Sequence, residues 1–149
     1  MTHGNSMRTL IALSLITCLS LSAAQPASTN FDDSPLAEAM SSLNSSMRSF
    51  RKAVKGDAPD QKLALAELMK MQAAVQSAKT EVPEIVNGLD AKKAAAKTAD
   101  YRKTLISCQR ALLDLEVLVV DKKFSEVDLA IRGLLSMKKA GHDAFIEDV

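Results

Sequence analysis

The sequence is poor in the residues that folds other than helical ones require. Its 149 residues include no tryptophan, one tyrosine, five glycines and four prolines, and aromatic residues make up only 3% of the chain. Strands favour aromatic and β-branched residues, and the turns between strands favour Gly and Pro. No stretch alternates apolar and polar residues as a half-buried strand does. These absences argue against a β-rich fold.

Cysteine and histidine are equally scarce, with two of each. His3 and Cys18 lie in an N-terminal segment that we expect to be removed, which leaves Cys108 and His142. One cysteine cannot form an internal disulfide, and a zinc site needs more thiolate or imidazole ligands. The Glu-x-x-His pairs of di-iron helical bundles are also absent. We therefore do not expect a metal-dependent enzyme, and we interpret Cys108 as a small core residue.

The N-terminus has the pattern of an export signal. Arg8 supplies the positive charge, residues 10–21 are apolar apart from small hydroxyl residues and one cysteine, and residues 22–24 are Ser-Ala-Ala. Small residues at this point are typical of a cleavage site, so we predict a signal peptide of residues 1–24 and a mature periplasmic domain of residues 25–149. Met7 is an alternative start.

Two other interpretations of this N-terminus are less favoured. An apolar run of about 12 residues is short of the ~20 that a membrane-spanning helix needs, which argues against an uncleaved anchor. A lipoprotein cysteine at Cys18 would follow Thr17, which is bulkier than the usual small residue.

Removal of residues 1–24 leaves 18 basic and 18 acidic residues. Because this balance offers no cationic excess to neutralise phosphates, we do not expect nucleic acid as a partner.

The chain is rich in Ala, Leu, Lys, Glu, Gln and Met, which are residues that favour helices. Apolar residues recur at alternating steps of four and three along four segments, which is a heptad seam on one helix face. The seams comprise Leu36, Met40, Leu43, Met47, Phe50 and Val54; Ala64, Leu68, Met71, Val75 and Ala78; Tyr101, Leu105, Cys108, Leu112, Leu115 and Val119; and Val127, Ile131, Leu134 or Leu135, Lys138, His142 and Phe145.

Capping and breaking residues mark the helix boundaries. Ser34 followed by Pro35 begins the first helix, and Gly56 follows its end. We place the second helix at about residues 59–79 and expect an irregular stretch at 84–90. Residues 91–98 extend the third helix at its start, and Ser125 is the expected cap of the fourth.

Short connections favour antiparallel neighbours, so we predict an all-α, antiparallel, up-down-up-down four-helix bundle, with a coiled-coil dimer as the alternative. In this topology the first helix begins at the end of the bundle where the fourth finishes. Met40 and His142 should then lie at similar heights on adjacent helices. Taken singly, Met40 is typical of a core gap filler and His142 of a surface or rim residue.

Four segments, LAEAMSSLN at 36–44, LMKMQAA at 68–74, DYR at 100–102 and MKKAGH at 137–142, together resemble the family of soluble periplasmic cytochromes b562. The first segment is similar to the family's first helix, and the second segment to its second helix. The third is similar to the start of its third helix, and the fourth to the segment with its C-terminal histidine. The resemblance covers residues 36–145, with a loop of different length between helices two and three.

The resemblance implies one non-covalent haem b with Met40 and His142 as axial ligands of the iron. It further implies that Met47, Met71, Tyr101 and Leu105 line the haem pocket and that Lys138 meets a propionate. Leu105 stands where an aromatic residue is expected, and Lys138 where an arginine is expected. The implied function is periplasmic electron transfer without catalysis, with haem and an unidentified redox protein as partners. The alternative is a haem-free periplasmic helical bundle that acts as a binding or stress protein.

Overall fold

The computed structural model describes residues 34–145, which form four α-helices and no strand. The helices are α1 (Pro35–Ala53), α2 (Gln61–Ala78), α3 (Ala91–Val120) and α4 (Phe124–Phe145), and a single 3-10 turn, Glu84–Val86, lies between α2 and α3. The prediction of an all-α fold is therefore confirmed for this part of the chain. The predicted signal peptide, residues 1–24, lies outside the described residues.

Side-chain caps begin the first three helices. Ser34 Oγ accepts a hydrogen bond from the Ala37 N–H at 3.1 Å, and Pro35 follows as the first helical residue. Asp60 and Asp90 cap α2 and α3 in the same way, through bonds of 2.9 Å from the N–H groups three residues later. Each cap satisfies one of the donors that a helix start leaves unpaired.

Two predicted boundaries differ from the structure. Helix α2 begins at Gln61, slightly later than predicted, because Asp60 supplies the cap. Ser125 does not cap α4 but lies inside it. The reason is a tight reversal after α3, in which Lys122 adopts a φ of 59° and the Glu126 N–H already bonds to the Lys123 carbonyl at 3.0 Å.

Most residues of the predicted seams form one continuous core, but Lys138 and His142 of the fourth seam are exposed. Phe50, Leu68, Met71, Leu112 and Leu115 are almost completely buried in it, and they come from three different helices. Burial of each such side chain contributes about 1.5–3 kcal/mol. The core is therefore the main source of stability in the described residues, which contain a single cysteine and so no internal disulfide.

The helices do not all pack equally closely. The backbones of α1 and α2, of α2 and α3, and of α3 and α4 approach one another closely, whereas those of α1 and α4 do not. Side-chain bonds join α2 to α3 at both ends of α2. Gln61 Nε2 donates to the Val119 carbonyl at 2.8 Å, and Tyr101 Oη donates to the Ala78 carbonyl at 3.0 Å. The separation of α1 from α4 leaves space between these two helices.

Adjacent residues of α2 allow the contribution of the core to be tested. Leu68 is 0% exposed and Met69 is 65% exposed. We expect Leu68→Ala to lower the free energy of unfolding by about 2–5 kcal/mol, because it removes buried methyl groups and leaves a cavity. The matched surface change, Met69→Ala, should alter it by no more than about 0.5 kcal/mol. Urea unfolding followed by circular dichroism measures both, and equal effects would contradict the described packing of α2.

Candidate functional site

A groove of about 280 Å³ lies between α1 and α4. Its walls are mainly apolar and come from both helices, with one residue from α3. The lining residues are Leu43, Asn44, Met47, Arg48, Arg51, Cys108, Leu134, Leu135 and Lys138. The groove thus occupies the interface at which the two helix backbones stand furthest from close packing.

The charged residues of the groove are all cationic. Arg48 and Arg51 come from α1 and Lys138 from α4, and the lining contains no carboxylate. The five ion pairs within residues 34–145 involve none of these three cations. An apolar cleft with unpaired cations is suited to a largely apolar molecule that carries negative groups at one edge.

Cys108 contributes a neutral group to this lining. It is half-buried, and burial raises the pKa of its thiol to about 11. The thiol is therefore protonated at neutral pH and behaves as a small hydrophobic side chain. This agrees with the sequence interpretation of Cys108 as an apolar packing residue, although it lies at the groove and not in the fully buried core.

The structure brings two of the predicted site residues, Met47 and Lys138, into the lining of one groove. Met40 and His142 do not line it, but each lies one helical turn from a residue that does. Met40 is four residues before Asn44 in α1, and His142 is four residues after Lys138 in α4. Met40 is half-buried against the core, whereas His142 is exposed. The two side chains thus extend the groove-lining faces of their helices.

Three other predicted site residues, Met71, Tyr101 and Leu105, are buried in the core beside the groove and do not line it. Tyr101 also connects three helices. Its hydroxyl bonds to the last turn of α2, and its ring meets the ring of Phe145 in α4 edge-on, with 5.3 Å between centroids. Burial, together with the nearby charge of Glu81, raises the pKa of Tyr101 to about 12.

Sequence reasoning missed the two arginines of the groove. The heptad spacing leaves both Arg48 and Arg51 outside the apolar seam of the first helix. Both are exposed, yet both line the groove. The available signal was their spacing, since Arg48 directly follows Met47 and Arg51 directly follows Phe50 at the edge of the seam. Such long side chains can lie along an apolar surface while the charged end stays in water.

A comparison with family models matches residues 35–145 to the cytochrome b562 model. The chain belongs to the cytochrome b562 family. The match spans α1 to α4 and includes both helices that line the groove. A comparison with curated proteins finds no match to the chain.

Membership of the cytochrome b562 family identifies the chain as a helical bundle of a haem-binding, electron-carrying family, whose members are generally not enzymes. Among the residues that the structure describes, no helix is long and apolar enough to cross a bilayer. The same residues contain no group of three or more His, Cys, Asp or Glu that could hold a metal ion. A site made of one methionine and one histidine is not such a group, because it contains only one residue of these four types.

The backbone next to His142 lies close to α3. A Cβ atom on Gly141 would meet Thr104 Cγ2 of α3 at 3.6 Å, an ordinary van der Waals distance.

The hydrogen bond of Tyr101 gives a pH-dependent prediction. Tyr101→Phe should lower the free energy of unfolding at pH 7 by about 1 kcal/mol, because the hydrogen bond to the Ala78 carbonyl is lost. The pKa of the phenol rises from 10.0 to about 12 on folding. The stabilisation is therefore complete below pH 10 and is lost as the pH rises towards 12.

Urea unfolding of both proteins between pH 7 and pH 11.5 tests this expectation. The difference in stability between wild type and Tyr101→Phe should shrink above pH 10. A difference that stays constant over this range would contradict a buried, hydrogen-bonded phenol.

Proposed function

We propose that this protein is a periplasmic electron carrier that binds one haem b non-covalently, with Met40 and His142 as axial ligands of the iron. The observation that carries the proposal is the groove between α1 and α4, the two helices on which these residues lie. The chain is similar to the cytochrome b562 family over the whole of both helices.

The residues at the groove fit a haem in their chemistry. A porphyrin has a large apolar face and two carboxylates, and the groove offers leucine and methionine side chains together with three unpaired cations. Its volume of about 280 Å³ lies just below the ~300–1,000 Å³ typical of ligand pockets. Extension by one helical turn, to Met40 and His142, would enlarge the groove and add a thioether sulfur and an imidazole nitrogen as donors.

The proposed ligands explain why the function would be electron transfer. A bound haem supplies a reversible one-electron change at its iron. The Met40 thioether does not titrate, and it favours the reduced state and so raises the potential. The His142 imidazole binds in its neutral form. Because both axial positions would be filled by the protein, no position stays open for a substrate, and we propose no catalysis.

The antiparallel, up-down-up-down order of the helices is part of the proposal. It is supported by the two bonds between α2 and α3, which join the first residue of α2 to the last turn of α3 and the last residue of α2 to Tyr101, in the first half of α3. The contact between Tyr101 and Phe145 likewise joins the first half of α3 to the end of α4. In this order the start of α1 and the end of α4 lie at one end of the bundle, as Met/His ligation requires.

The second candidate function is a haem-free periplasmic bundle that binds a partner or acts in stress. The exposure of His142 favours it, because an exposed imidazole needs no ligand. This candidate requires the core seams but neither Met40 nor His142, so the colour of the purified protein separates the two functions.

Axial ligation can be tested by spectroscopy. The exported protein should show a low-spin b-type spectrum, oxidised and reduced, that His142→Ala abolishes or turns high-spin. Met40→Ala should lower the reduction potential and weaken the low-spin reduced bands, because the sixth ligand is lost. Met69→Ala is the matched control, since Met69 is an exposed methionine outside the groove. A colourless, folded wild type that takes up no haemin would overturn the proposal.

Export to the periplasm gives a separate prediction. The intact mass of the protein from the periplasmic fraction should correspond to residues 25–149 with no covalent haem, because cleavage follows Ala24 and no Cys-x-x-Cys precedes His142. Ala24→Phe should slow processing, since a small residue is required before the cleaved bond, whereas the same change at Ala27 should not. A lipid adduct on Cys18 or an unprocessed membrane-bound chain would contradict a cleaved signal peptide.

A further inference from the structure

The cations of the groove are distributed over both of its walls. Lys138 lies on α4, one turn before His142, while Arg48 and Arg51 lie on α1. The resemblance to the family assigned a propionate contact to Lys138 alone. A haem carries two propionates, however, and one lysine offers a point charge without the paired donors of a guanidinium. The positive charges on the α1 wall, Arg48 and Arg51, therefore need a separate explanation.

Arg51 has such an explanation without any ligand. It lies in the last turn of α1 together with Lys52, where positive side chains complement the negative end of the helix dipole. Arg48 lies one turn earlier, outside that region. Asp and Glu are absent from the groove lining, and Arg48 forms no ion pair with any residue of the described part of the chain. Within residues 34–145, no acidic partner accounts for its charge at this place.

The helical spacing puts Arg48 within a porphyrin's reach of the proposed iron. Arg48 is eight residues after Met40, about 12 Å along the axis of α1. Lys138 is four residues before His142, about 6 Å along α4. In the antiparallel order both displacements point away from the iron and along the groove. The two cations therefore flank the region into which one edge of the porphyrin would extend.

We propose that Arg48 is a haem-positioning residue that binds one propionate from the α1 wall while Lys138 meets the other from the α4 wall. The proposal rests on haem binding as proposed above. With both contacts made, the two carboxylates point along the groove and away from Met40 and His142. The haem then enters the bundle in a single orientation, with the same end of the porphyrin first. The guanidinium can meet a carboxylate with two parallel N–H donors, which gives it more orienting power than Lys138.

The test compares haemin with haemin dimethyl ester, in which both propionates are uncharged, by absorbance titration of the full exported protein freed of haem. Arg48→Gln should weaken haemin binding by roughly 2- to 5-fold at low salt, the range for an exposed charge pair. It should leave binding of the ester unchanged. Arg48→Lys keeps the charge and should recover most of the loss. Added salt should reduce the difference between the wild type and Arg48→Gln.

Two variants serve as controls. Lys52→Gln removes a cation from the same helix, and Arg132→Gln removes an exposed arginine from α4; neither residue lines the groove. Both should bind haemin as the wild type does. Far-UV circular dichroism verifies that each variant is folded, which we expect because Arg48 is exposed.

The outcomes distinguish this inference from the proposed function. Equal haemin binding by wild type and Arg48→Gln, or an equal loss for haemin and its ester, would overturn the role of Arg48. If the wild type still showed a low-spin spectrum that depended on His142, haem ligation would stand and only the propionate contact would fall. If the wild type bound neither haemin nor its ester, both proposals would fall together.

Discussion

Burial of one apolar face on each of four helices is the constraint on which this structure depends. Residues 34–145 contain no disulfide, and their caps and surface ion pairs each contribute little. The seams of α1, α2 and α3 supply the most deeply buried side chains, and α4 closes over them with Val127, Ile131 and Leu134. Every other feature, including the groove, follows from how completely these four faces meet.

The four apolar helix faces do not pack against one another equally closely. Successive helices pack closely, whereas α1 and α4 leave a groove between them. A fully packed bundle would gain stability by closing this interface, since interiors are otherwise dense. The open interface also lies between the two helices that carry Met40 and His142, the proposed ligands of the iron. Incomplete packing at one interface of a bundle is a common way to make room for a cofactor, because the remaining interfaces can hold the fold.

The side chains around the groove combine two properties that oppose each other in an ordinary core. Leu43, Met47 and Leu134 are apolar and buried, yet Arg48 and Lys138 place positive charge at the same cleft. Cys108 does not add to the charge, because burial raises its thiol pKa to about 11. Tyr101 uses its one polar atom to bind the Ala78 carbonyl and so adds no unsatisfied group to the core. The result is an apolar cleft with a cationic edge.

The sequence by itself determined the helical class, the helix count within the described residues and nearly all core residues. Heptad spacing decides which face of a helix is buried. The ends of the first helix are marked by local signals, which are Ser34 and Pro35 at its start and Gly56 after its end. The ordered motifs also sufficed to recognise the family. Ser125 as a cap was wrong, because the reversal at Lys122 depends on how α3 ends and not on a preferred capping residue. Only the tertiary structure decided that α1 and α4 leave a groove and that Arg48 and Arg51 line it. Periodicity assigns a long, charged side chain at the edge of a seam to solvent. Whether it also borders a cleft depends on how far the neighbouring helix stands away, a distance that no local pattern encodes.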